Sequence, residues 1–294
     1  PELPARGPGA EMIGRTTALL VDLPTEIAPS GWQLASRPGR DLRRAHDLFA
    51  RDLDALEQVA DGYRGPLKVQ VAGPWTLASG LELASGHKVV SDHGATRDLA
   101  QSLAEGLAVH LQDLARRVPG ARLVVQVDEP GLNAVLFGRV PTPSGYGTVR
   151  SVDRLMAEQT LRLVLDVVPA GGRVVHSCER DVPISLFRAA GADAISLDAS
   201  LLRGSFHDAL AEAIEAGVSV WLGVVPSTDS ALDLRTPREA ITRLWRTLGF
   251  PAERLAASVV PTPTCGLAGA SPDYIRRALT LLRELGADLL VDRE

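Results

Sequence analysis

Apolar positions along the chain fall into two alternating patterns. Six short runs are continuously apolar or β-prone: "LKVQVAG" (67–73), "RLVVQVDEP" (122–130), "RVVHSCE" (173–179), "DAISLDAS" (193–200), "VSVWLGVV" (218–225) and "AASVVPTPTCG" (256–266). Parallel strands read this way because both faces of their sheet are covered. The intervening stretches have helical spacing. Residues 95–117 place Leu99, Leu103, Leu107 and Leu111 four apart, and Val118-Pro119-Gly120 ends the pattern. Residues 152–168, 183–190, 205–216, 236–249 and 271–286 repeat it. Ser151, Ser205, Thr236 and Ser271 are the expected N-caps, with Pro237 and Pro272 where a first helical turn tolerates proline.

Strand and helix alternate at about 25 to 45 residues per unit, which is the βαβ rhythm. No internal repeat, low-complexity tract or linker interrupts it, so one domain over 1–294 is expected. Six strands are two short of an eight-stranded barrel. The segment 17–24 with 27–36 is expected to supply one more, and the eighth has no candidate. An open doubly wound sheet is one arrangement. The other, favoured by the polar residues below, is an α/β chain of the (β/α)8 TIM type whose first strand is missing from it.

Composition narrows the function classes. A net charge of −5 and a pI near 5.7 give no electrostatic footprint for nucleic acid or an anionic membrane. Aromatic residues are 4% of the chain, too few for base-stacking platforms. No apolar run nears the roughly 18 to 20 residues of a spanning helix. The first residues lack a basic-then-apolar leader pattern. Two cysteines make no disulfide framework, so a cytoplasmic protein is expected.

Sites in parallel α/β architectures form at the C-terminal strand ends. Here those ends carry Asp128-Glu129-Pro130, His176, Cys178, Asp198, Ser227, Thr228 and Cys265, which include both cysteines of the chain. In an extended segment residues i and i+2 share a side, so His176 and Cys178 can face one ion together. Two thiolates, an imidazole and a carboxylate suit Zn²⁺. A His-x-Cys alone is more often two half-buried side chains, and a free cysteine commonly behaves as a small hydrophobe. Cys265 in "PTPTCGL" shifts the balance, because Pro261, Pro263 and Gly266 mark an irregular strand exit, a poor place for a core cysteine. Asp128 and Glu129 are adjacent and point to opposite faces, so they cannot form a facing pair of glycosidase carboxyls. Asp128 after "LVVQV" suits a cation such as a substrate ammonium. His46, His87, His93, His110 and His207 lie in helical or loop segments without ligand partners at useful spacing.

The segments "VVQVDEPGL", "VVHSCE", "AISLDAS" and "PTPTCGL" resemble, in order and spacing, motifs of the catalytic domain of cobalamin-independent methionine synthase. That family belongs to the uroporphyrinogen decarboxylase-like superfamily and folds as a (β/α)8 barrel. The resemblance implies zinc held by His176, Cys178, Asp198 and Cys265, the carboxylate being one methylene shorter than the family's Glu. It implies that Asp128 binds the homocysteine amine, with Glu2 sharing the task. The family's Ile-Gly-Ser segment has no match, as expected of a chain that begins after the first strand. Three further features are missing. The family's proton-donating His falls in "GVVPSTDS", where Ser227, Thr228 and Asp229 stand. The pterin-stacking aromatic falls near Gly80, with Trp75 displaced from it, and an acid used by folate falls on Ala134.

The function implied is a zinc-dependent methyltransferase moving a methyl group to the thiol of L-homocysteine to form methionine. The expected donor is a methylcorrinoid, which a partner protein could present, rather than methyltetrahydrofolate. The alternatives are a related zinc thiol methyltransferase with another acceptor and a non-catalytic zinc or small-ligand binding barrel.

Overall fold

Each of the six apolar runs is a strand. The computed structural model describes residues 2–291. An antiparallel hairpin of β1 (Thr25–Ala28) and β2 (Gly31–Leu34) stands apart from a parallel sheet. The sheet comprises β3 (Gly65–Ala72), β4 (Ala121–Asp128), β5 (Arg173–Ser177), β6 (Ala194–Asp198), β7 (Ser219–Val225) and β8 (Val259–Pro263), hydrogen-bonded in sequential order. Eleven α-helices are interleaved among the described residues: α1 (Met12–Thr17), α2 (Arg40–Val59), α3 (Pro74–Gly80), α4 (His93–Arg117), α5 (Leu132–Leu136), α6 (Arg154–Leu165), α7 (Ile184–Ala189), α8 (His207–Glu215), α9 (Arg235–Leu248), α10 (Leu255–Ser258) and α11 (Pro272–Val291). This is an α/β fold of the partial (β/α)8 type. No helix among the described residues is long and apolar enough to cross a membrane.

The chain divides into two compact units between Val174 and Val175, inside β5 rather than at a linker. In the first unit β3 and β4 pair in parallel from Gly65↔Ala121 to Ala72↔Asp128. The predicted leucine stripe of α4 is buried, with Leu99, Leu103 and Leu107 fully so. Gly106 of the same helix lies so close to the backbone of Leu19 that a Cβ there would meet its carbonyl oxygen. In the second unit β6, β7 and β8 pair in parallel, with a register shift between Gly223 and Val225. A Cβ on Gly223 would come within 2.7 Å of Thr264 Cα, so only glycine lets the segment that leaves β8 toward Cys265 lie this close. Beyond β7, buried Tyr274 of α11 donates its hydroxyl to Pro226 O at 2.7 Å and packs on Val225 and Ala278.

Two expectations need correction. Residues 17–24 and 27–36 do not extend the parallel sheet; a turn at Pro29-Ser30 folds 31–34 back on 25–28 as an antiparallel hairpin. Of the four expected caps only Ser271 acts as one, accepting from Tyr274 N at 3.2 Å. Asp153 caps α6 in place of Ser151, and Asp233 accepts from the backbone N–H of Thr236. In both cases the helix opens at a different residue from the one expected, and a carboxylate at that point accepts from its first N–H groups. No side chain caps α8, so Ser205 does not serve there.

Candidate active site

In the second unit, alternation along β5 and the exit from β8 bring together His176, Cys178 and Cys265. Their ligating atoms all lie within 4.8 Å of one another, the only such group among the described residues. His176 is buried, Cys178 half-buried and Cys265 exposed, so the group opens toward solvent on its sulfur side. The two Sγ atoms are 3.2 Å apart. One thiol donates to the other, and this contact, with a second from His176, pulls the Cys265 thiol down to about 4. The same contact, with burial, pushes the Cys178 thiol up instead. His176 Nδ1 meets Ser196 Oγ at 2.9 Å, a contact buried under the strand ends.

The donor set fits a zinc ion. Bonds of about 2.0 to 2.3 Å from one tetrahedral ion place its ligand atoms roughly 3.3 to 3.8 Å apart, close to the observed spread. Asp198 is outside this group. Its Oδ1 accepts from Ser200 N at 2.8 Å, although it follows Ser196 by two residues on β6 and so shares its side of the strand.

In the first unit Asp128 ends β4, buried, with Gln126 Nε2 donating to its Oδ1 at 2.6 Å. Glu2 lies within the field of Asp128, and its carboxyl is pushed up to about 7, first by burial and then by that like charge. Lys68 of β3 feels both carboxylates. Glu129 points elsewhere, as alternation requires. It is fully buried and accepts from Trp75 N at 3.0 Å, Thr76 N at 2.8 Å and Thr76 Oγ1 at 2.8 Å.

The segment after β7 places Ser227 half-buried and Thr228 exposed, while Asp229 accepts from Ser271 N. Trp75 is fully buried, with its indole N–H on Ala157 O, and presents no face to a ligand. His110 is buried too, held near 4 chiefly by desolvation. Sequence reasoning passed over Ser196, Gln126 and Lys68. The signal for Ser196 was its place two residues before Asp198 on one strand.

A parallel strand–helix chain of barrel type, with a His-x-Cys and a distant cysteine meeting beyond its strand ends, defines a class of thiol-bearing (β/α)8 enzymes. Residues 59–288 match the family described as "Cobalamin-independent synthase, Catalytic domain", and the chain belongs to that family. It is thus an enzyme of methyltransferase type. A similar fold occurs in a B12-independent methionine synthase from Shewanella sp. W3-18-1, solved in complex with selenomethionine. Its TM-score is 0.56 at 16% identity, covering 82% of this chain and 67% of that one. The carboxyl transferase domain of Rhizobium etli pyruvate carboxylase, solved with 3-bromopyruvate, matches at 15% identity over 83% of this chain and 51% of that one. Its TM-score of 0.26 carries no argument. Among curated proteins no sequence matches.

Proposed function

We propose that the protein transfers a methyl group to the thiol of L-homocysteine, forming methionine, with zinc held by His176, Cys178 and Cys265 and with Asp198 as fourth ligand. The observation that carries this is the group of one imidazole and two thiols, in a chain of this family. When bound, zinc supplies the positive charge that keeps a coordinated thiol deprotonated at neutral pH, where a free thiol of pKa about 8.5 is mostly protonated. Ser196 holds the orientation of the His176 ring, the role outer hydrogen bonds play at such sites. Ser196→Ala is expected to weaken zinc affinity by about 10- to 100-fold, measured by competition with a chromogenic chelator.

Asp128 and Glu2 receive the substrate ammonium. With Glu2 protonated below about pH 7, one of the two charges is lost. Homocysteine affinity is therefore expected to fall as pH drops from about 8 to 6, and to lose that slope in Glu2→Gln. A pH series of calorimetric titrations checks this.

The donor is a methylcorrinoid, which a partner protein can present. Moving methyl from the N5 of a folate requires a proton at that nitrogen, and general-acid help of this kind is worth about 10² to 10⁴ in rate. The segment Ser227-Thr228-Asp229 offers no histidine, and the nearby Tyr274 hydroxyl is engaged by Pro226 O. A methyl–cobalt bond needs no proton. Its electron pair stays on cobalt as the sulfur lone pair forms the new S–C bond. Zinc-loaded protein given homocysteine is expected to make at least about tenfold more methionine from methylcobalamin than from methyltetrahydrofolate, in line with that general-acid factor. The reverse preference overturns the donor assignment. No methionine from either donor overturns the acceptor as well.

A further inference from the structure

We propose that Lys68 is a positioning residue for amine recognition, acting through the side-chain amide of Gln126 on Asp128. This rests on the amine role proposed for Asp128. The β3–β4 register pairs Lys68 with Val124, Gln70 with Gln126 and Ala72 with Asp128. Because strand side chains alternate, Lys68, Gln126 and Asp128 all rise on one face of the paired strands. Lys68 Nζ donates to Gln126 Oε1 at 2.8 Å, and Gln126 Nε2 donates to Asp128 Oδ1 at 2.6 Å.

The chemistry of the three groups makes this chain directional. An ammonium only donates, an ionised carboxylate only accepts, and an amide can do both. One orientation of the Gln126 amide satisfies both neighbours. Without the ammonium, the amide can turn its oxygen toward Asp128, replacing an attraction by a lone-pair repulsion. Lys68 also supplies positive charge to a pair of carboxylates that repel each other, and its charge favours the ionised form of Glu2. Burial lowers the ammonium's own pKa, while Asp128 and Glu2 act in the opposite sense, although the side chain retains solvent contact. Against the role stands the repulsion of the incoming ammonium by Lys68. The intervening amide keeps the two apart.

The test uses zinc-loaded full chain and two ligands, homocysteine and 4-mercaptobutanoate, which keeps the thiol and carboxylate but lacks the amine. In calorimetric titrations Lys68→Met is expected to weaken homocysteine binding about tenfold, the scale of one hydrogen bond to a charged group. It should leave 4-mercaptobutanoate within about twofold on that scale. Gln126→Met should give the same selective loss, the double variant should be no worse than either, and Lys68→Arg should recover most of the affinity. Gln126→Met carries the test if circular dichroism shows that Lys68→Met does not fold. An equal loss for both ligands, or unchanged or tighter homocysteine binding, overturns the proposal. Asp128→Asn separates the two failures. If it leaves the preference for homocysteine intact, the amine role itself is wrong. If it erases that preference and Lys68→Met does not, only the positioning role fails.

Discussion

Protein in which Cys178 and Cys265 are both replaced by serine is expected to purify without zinc and without methyl transfer. The unaltered chain should hold about one ion, as one tetrahedral donor set provides. The reason is the donor chemistry. A serine hydroxyl stays protonated at neutral pH and is a weak, hard ligand, whereas the thiolates provide most of the affinity of an S,N site. His176 and Asp198 alone cannot replace them. The fold should survive, because Cys178 is half-buried and Cys265 exposed, and neither belongs to the buried apolar core. Elemental analysis with circular dichroism on the same sample reads both quantities. Stoichiometric zinc in the double variant would remove the assignment.

The second large effect concerns Glu129, which does no binding in this reading. Its carboxylate satisfies two backbone N–H groups that open α3, together with the Thr76 hydroxyl, at zero exposure. Glu129→Ala orphans those groups inside the protein, at about 1 to 3 kcal/mol for each unsatisfied donor. A loss of about 3 kcal/mol or more is expected in urea unfolding. The chain cannot close on the gap from the other side without moving backbone, since Gly73 already touches the Glu129 side chain. Desolvation pushes this carboxyl up to about 7 from 4.5. The folded state then binds its proton more tightly than the unfolded state. Its stability contribution is greatest below about pH 4.5 and declines as pH rises toward 7. Glu129→Gln cannot titrate, so its melting temperature should lose that part of the pH slope, even though its NH₂ now faces a backbone N–H and costs stability at every pH.

Much of this was legible in the sequence, and the failures have physical causes. Most of the six strands declared themselves because a strand covered on both faces cannot carry exposed polar residues without cost, although β3 carries exposed Lys68. The helix α2 escaped notice because its residues are mostly charged or polar, and only Leu42, Ala45 and Leu53 reach the core. The hairpin of β1 and β2 looked like another sheet strand because propensity says nothing about pairing partner. His176, Cys178 and Cys265 could be read from alternation and the irregular "PTPTCG" exit. Asp198 was read the same way; its Oδ1 accepts from Ser200 N, and its place as fourth ligand is a proposal. Lys68 and Gln126 remained hidden because, in a run of strand residues, a polar side chain gives no sign of which neighbour it will meet.

The meeting of Cys178 and Cys265 also has a topological meaning. They are 87 residues apart in sequence, and the span between them includes β6, β7 and β8. Any ion gripping both thiols ties that span into a closed ring. A cross-link over such a length removes conformational freedom from the unfolded chain worth about 4 to 5 kcal/mol in the chain-entropy view. Metal occupancy then becomes a mechanical matter for residues 178–265. Hydrogen exchange in β6 and β7 should quicken on chelation, while that in β3 and β4, outside the ring, should change far less.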